Sequence, residues 1–183
     1  EISTAAAFIF LTDLRLDNFY GLFGIYEIDY LFSISLSIFV FVITINSYNL
    51  IDGIDGLAGG YGTMVAFFIL ILCWLNNNAI GTVLCSTIIG SLICFIKFNV
   101  NKGRDKIFMG DTGSLVIGFL ISVIVMLCLC SKNSFSSEFR NLPVLILSIL
   151  SLPYIDTLRV MIIRSLNGKR VLEADKNHIH HEM

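Results

Sequence analysis

The sequence predicts an all-α fold, a multi-pass bundle of transmembrane helices. Three observations predict it. Hydrophobic residues make up 56% of the 183 positions, and the mean hydropathy of +0.83 exceeds what a soluble domain of this length needs. The apolar residues gather into runs close to the length that spans a bilayer. The polar residues gather between those runs, in dense clusters. The five cysteines (Cys73, Cys85, Cys94, Cys128 and Cys130) all fall inside apolar runs, where thiols act as small hydrophobes. Their spacing suggests neither a zinc site nor a disulfide framework. The net charge of −2 says little about nucleic acid, and with no basic domain in the sequence no nucleic-acid partner is expected.

Taken in order, residues 5–11 read as the end of one helix. Residues 12–29 read as a polar linker with aromatic and glycine character, long enough for a short amphipathic or strand-like excursion. Five spans follow, over residues 30–45, 61–75, 79–96, 114–130 and 142–163. The first two are short and are expected to extend into their polar flanks. Asn76, Asn77 and Asn78 form a tight polar turn. Alternating spans put residues 46–60, 97–113 and 164–183 on one side of the membrane. That side carries eight Lys and Arg, against Arg15, Lys132 and Arg140 on the other. By the positive-inside rule it is cytoplasmic. The dense polar motifs therefore converge on one face. No charged region followed by a small-residue cleavage site marks a signal peptide.

Three clusters on that face carry candidate chemistry. In NSYNLIDGIDGLAGG, Asn46, Asn49, Asp52 and Asp55 recur every third residue, a spacing that places helical neighbours close together. Gly53, Gly56 and Gly59 repeat at the same interval and leave backbone bare for close approach. Acids near the bilayer are functional candidates by default, although two acids in a loop also read as an ordinary solvated surface. Asp111 lies in FMGDTGS, where it reads either as a metal ligand or as a first-turn acid on the helix dipole, with Ser114 as a cap. His178, His180 and His181 lie near the end of the sequence and read as a solvated tail or as part of a transition-metal site. Oxygen ligands from Asn and Asp suit a hard cation such as Mg²⁺, which shares its shell with substrate phosphates. Asp156 and Arg159, three residues apart, read as an interfacial ion pair. A different class of reading makes Asp52, Asp55 and Asp156 a cation path through a transporter or channel.

NSYNLIDGIDGLAGG, FMGDTGSLVIGF and ADKNHIHH, in this order, resemble the polyprenyl-phosphate N-acetylhexosamine-1-phosphate transferases of glycosyltransferase family 4. Within that family the chain is most similar to the bacterial undecaprenyl-phosphate GlcNAc-1-phosphate transferases. His-x-His-His favours that branch over the phospho-N-acetylmuramoyl-pentapeptide transferases, which stand as the alternative. The resemblance implies that polyprenyl phosphate attacks the β-phosphorus of a UDP-HexNAc and that UMP leaves. It implies Mg²⁺, with Mn²⁺ as a substitute, held by Asp111 and Asn49. Asp52 would join the same catalytic cluster, as would His178, His180 and His181 near the sugar phosphate. Asn46, Gly53, Asp55 and Arg164 would bind substrate, with Asp55 and Gly53 at the uracil. The partners implied are UDP-HexNAc, undecaprenyl phosphate, the lipid bilayer and a second copy of the chain. The location implied is the inner membrane, with the active face cytoplasmic. The family carries an Asp-Asp pair before the first motif and further spans on both sides. Residues 1–183 are thus expected to be one integral membrane domain from the middle of a longer protein, and inactive alone. Arg170-Val171-Leu172 stands where the family often has Ser-Pro-Phe.

Overall fold

A computed structural model describes residues 1–130 and 141–166. Its helices are α1 (Ile2–Thr12), α2 (Tyr30–Ile51), α3 (Leu57–Leu75), α4 (Ala79–Asn99), α5 (Gly110–Leu129), α6 (Leu142–Ile149) and α7 (Ser151–Leu166). Helices α2 to α5 are each long and apolar enough to cross a membrane, and α6 with α7 adds a bent fifth candidate. No strand forms among the described residues. The chain is a multi-pass helical membrane bundle, as hydropathy predicts.

Side-chain contacts give the directions of the helices. Asn49 of α2 bonds Ser114 of α5, and Gly118 of α5 packs on Ile45, so these two run antiparallel. Gly59 faces Ile96 and Gly62 faces Leu92, which makes α3 and α4 antiparallel. Thr44 meets Tyr154 and Ser47 meets Thr157, so α7 runs parallel to α2. Glu1 at the start of α1 reaches Asn46 near the end of α2. The end of α2, the start of α3, the end of α4 and the starts of α1 and α5 therefore share one rim.

The core seam joins α1, α2 and α5 through Phe8, Phe41 and Phe119, whose ring centroids lie 5.5–5.7 Å apart. Several buried hydroxyls bond within their own helices: Ser37, Thr44 and Ser122 each donate to the carbonyl four residues back. Such bonding satisfies polar groups where lipid offers no partner. Among the described residues no buried side-chain nitrogen or oxygen lacks a partner. At the far end, residues 12–29 fold back as a small hairpin with one isolated bridge, Asn18 to Glu27. Ser33 and Ser37 tie it to α2 through Leu16, and Tyr20 donates to the Leu129 carbonyl of α5.

One expectation holds and two change. Helix α2 runs past residue 45 into its polar flank, as its short apolar run predicts, and continues to Ile51, so Asn46 and Asn49 are helical. Their carboxamides find partners on α1 and α5, which lets polar residues remain in the helix. The last span is not one straight helix. It bends by 64° between α6 and α7, because the Pro153 ring would collide with the Ile149 carbonyl in a continuous helix. Ser114 is not the cap of α5. It lies inside the helix and shares its proton between the Gly110 and Asp111 carbonyls, 3.1 Å from each.

Candidate active site at the polar rim

The rim is built where α2 ends and α5 begins. Gly118 makes this possible: a Cβ there would lie 3.0 Å from the Ile45 Cα, so only glycine lets the two backbones come this close. One turn nearer the rim, Asn49 Nδ2 donates to Ser114 Oγ at 2.6 Å. That bond fixes the Asn49 carboxamide beside the first turn of α5. Asp111 stands in that turn, exposed, where the helix dipole favours a negative charge. Asp52 closes α2 as its C-cap, half-buried. Burial, and then the charge of Asp111, raise its carboxyl above the ordinary carboxylate range. Asn49, Asp52 and Asp111 therefore meet at one place.

The ladder of four does not stay together. Asn46 turns to α1, where Nδ2 donates to Glu1 Oε2 at 2.6 Å and to the Val42 carbonyl at 2.8 Å. Asp55 lies beyond the end of α2 and pairs with Lys106, 2.6 Å away. Gly53 is exposed, with nothing within 4 Å of a built Cβ, so its backbone is open to a ligand.

Asn99 organises the turn between α2 and α3 and escapes sequence reasoning. It is 5% exposed at the end of α4. Its Oδ1 accepts from the Gly56 N–H at 2.6 Å, and its Nδ2 donates to the Ile107 carbonyl at 2.9 Å. One carboxamide thus ties residues 52–56 to the loop that leads into Asp111. Gly56 sits at φ 75°, which favours glycine, and Val100 packs against it. Tyr48 adds a second tie, donating to the Ala58 carbonyl at 2.6 Å. A carboxamide at the end of an apolar helix carries no periodic signal, so only the fold reveals Asn99. Phe108 is 72% exposed, with Lys106 Nζ 4.7 Å from its ring centre. An open aromatic face beside Asp55 and Lys106 is a second feature with no sequence pattern.

Asp156 and Arg159 form the exposed pair expected from their spacing, 3.8 Å apart. Arg164 belongs to α7, but its side chain, like His178, His180, His181 and Arg170-Val171-Leu172, lies outside the described residues. Among the described residues no group of three His, Cys, Asp or Glu side chains is placed to hold a metal by itself. The rim instead gathers a few hard oxygens: the carboxylates of Asp111 and Asp52, and Asn49 Oδ1, whose amide nitrogen is already committed to Ser114. A Mg²⁺ ion commonly takes one or two carboxylates from the protein and completes its shell with water and phosphate. The donor set fits that cation.

The family model described as "Glycosyl transferase family 4" matches residues 1–129. The chain is 36% identical over 157 residues to a phospho-N-acetylmuramoyl-pentapeptide-transferase of Caldanaerobacter subterraneus, covering 83% of this chain and 45% of that protein. It is 32% identical over 152 residues to the undecaprenyl-phosphate alpha-N-acetylglucosaminyl 1-phosphate transferase of Escherichia coli, covering 82% and 40%. A phospho-N-acetylmuramoyl-pentapeptide-transferase of a Thermoanaerobacter species is 35% identical over 188 residues, covering 100% and 50%. The chain spans about half the length of these relatives or less. With its helices, its rim and these relatives together, the chain belongs to glycosyl transferase family 4.

Proposed function

We propose that the complete protein transfers a HexNAc-1-phosphate, GlcNAc-1-phosphate foremost, from a UDP-sugar to undecaprenyl phosphate. The lipid phosphate oxygen bonds to the β-phosphorus, the bond from that phosphorus to the bridging oxygen breaks, and UMP leaves with the bridging oxygen. The observation that carries this reading is the meeting of Asn49, Asp52 and Asp111 where α2 ends and α5 begins, in a chain of this family. One substrate is a lipid and the other a water-soluble nucleotide, so a site at the end of membrane helices suits both. The reading places this rim at the cytoplasmic face of the inner membrane.

Phosphoryl transfer asks a protein for alignment and charge neutralisation more than for covalent chemistry. Asp111 and Asn49, with Asp52 beside them, would hold Mg²⁺, which neutralises charge on the diphosphate when bound. The chain's own residues supply the rest. The Asn49–Ser114 bond and the Asn99 ties hold the helix ends and the two loops in register. Gly53 and Asp55 offer a backbone edge and a carboxylate for the uracil, with the Phe108 face open beside them. Lys106 balances Asp55 and adds positive charge for the diphosphate. His178, His180 and His181 are assigned to the sugar phosphate, and Asn46 and Arg164 to substrate. A cation path, by contrast, needs acids between helices, whereas Asp52 and Asp55 lie at helix ends.

The complete protein in lipid nanodiscs, given undecaprenyl phosphate, Mg²⁺ and UDP-GlcNAc, should release UMP, and chelation should stop it. Absence of UMP overturns the proposal; release untouched by chelation overturns the metal assignment. A specific observation supports the muramoyl-pentapeptide reading too: relatives with that name are 36% and 35% identical. Preference for UDP-N-acetylmuramoyl-pentapeptide over UDP-GlcNAc in the same assay would decide for it.

A further inference from the structure

We infer that Tyr61 is a positioning residue: its hydroxyl latches the α6–α7 elbow and so sets how α7 runs along the end of α2 that carries the rim. Pro153 stands four residues after Ile149, where its missing N–H would otherwise bond the Ile149 carbonyl. That carbonyl is left without a helical donor, on a residue packed against the apolar core. Tyr61, buried on α3, supplies the donor: its O–H meets the Ile149 carbonyl at 2.5 Å. The chain then turns at Leu150, and α7 departs at 64°.

Beyond the elbow, two hydroxyl pairs seat α7 on α2. Thr44 gives its own proton to the Val40 carbonyl, so Tyr154 O–H is the donor in the 2.6 Å contact between them. Thr157 donates to Ser47 at 2.8 Å, and both are fully buried. Ser47 lies two residues before Asn49. The elbow angle and the α2 contacts together set the course of α7; Ser151 Oγ spans the elbow to the Ser148 carbonyl at 2.7 Å, and the Tyr61 bond ties it to α3. Beside the elbow, Tyr61, Met64, Phe68, Ser148 and Leu152 line a crevice of about 440 Å³, which leaves the elbow room to move if released. A phenylalanine would keep the ring packing but could not hold the carbonyl.

The consequence for turnover rests on the proposed transferase reaction; the latch itself does not. The test uses the complete protein in nanodiscs, with Cys94→Ser to remove an exposed thiol and spin labels at Leu147 and Ile162, both exposed. Tyr61→Phe should broaden or shift the distance distribution between the labels. It should lower turnover about fivefold, the size expected for one lost hydrogen bond. Pro153→Ala returns a helical donor to Ile149, so Tyr61→Phe should lower the melting temperature in the wild-type background and not in the Pro153→Ala background. An unchanged distance distribution, or equal losses of stability in both backgrounds, overturns the latch. A wild-type protein without transferase activity overturns the proposed reaction, while the distances and the double-mutant coupling still decide the latch.

Discussion

Replacing Gly118 by Ala tests whether the approach of α2 to α5 builds the rim. The added methyl would sit 3.0 Å from the Ile45 Cα and 3.3 Å from its carbonyl oxygen. Ordinary contacts between carbons lie at about 3.5–4.0 Å, and both neighbours are backbone, which cannot rotate away. The helices must separate by roughly half an ångström. Overpacking of this kind costs about 1–3 kcal/mol, offset by up to about 1 kcal/mol from alanine's better helix propensity. In lipid the loss is felt directly, because close packing rather than water exclusion holds helices together. Gly90→Ala is the internal control: it lies in α4 with nothing within 4 Å of a built Cβ, so only the propensity gain remains. Melting temperatures of the two variants in one detergent should therefore differ, with Gly118→Ala lower by a few degrees. Ser114 is one turn away, so UMP release should also fall in Gly118→Ala and not in Gly90→Ala. Equal melting temperatures would refute the reasoning that this glycine sets the spacing.

Three further perturbations probe the rim. Asn99→Ala strands the Gly56 N–H and the Ile107 carbonyl; it should cost about 1–3 kcal/mol and speed hydrogen exchange in residues 52–56, measured by mass spectrometry. Lys106→Met breaks a partly exposed pair, so stability should drop by less than about 1 kcal/mol, while the KM for the UDP-sugar rises. Asp52 has its proton affinity raised by burial and then by Asp111. Its folded form binds the proton more tightly than its unfolded form, so its contribution to stability falls as pH rises from about 3.8 through the elevated folded value. Asp52→Asn should thus melt higher than wild type at neutral pH and flatten the melting profile over that window. Added Mg²⁺ should raise the melting temperature of the wild type more than that of the variant.

The spans were legible because each needs only a long apolar run. The extension of α2 into its polar flank was legible from its short apolar run; the partners that hold Asn46 and Asn49 there, Glu1 and Ser114 from other segments, were not. Pro153 signalled the bend in plain sight, yet the apolar run continues past it. What makes the bend tolerable is a donor 88 residues away in the chain. Of the candidate site, Asn49, Asp52 and Asp111 were visible as motif residues. Asn99 was hidden, because its role depends on two loops meeting across α4. The ladder's spacing described its middle, Asn49 and Asp52, better than its ends, since Asn46 turns to Glu1 and Asp55, beyond the helix end at Ile51, turns to Lys106.

The electrostatics of the rim point the same way as its motifs. Lys106 is committed to Asp55 at 2.6 Å. That lysine therefore does not relieve Asp52 and Asp111, which remain close enough for one charge to raise the proton affinity of the other. A fold shaped only for stability would separate two such acids or neutralise one. Holding them together lowers stability at neutral pH, a cost that a cation bound between them would offset. The same two acids sit at one end of the α2–α5 seam, Asp52 closing α2 and Asp111 opening α5, with Asn49 and Ser114 as the clasp. A cation bound there would join the two helices that Gly118 brings together, so occupancy of the site and packing of the bundle become one equilibrium.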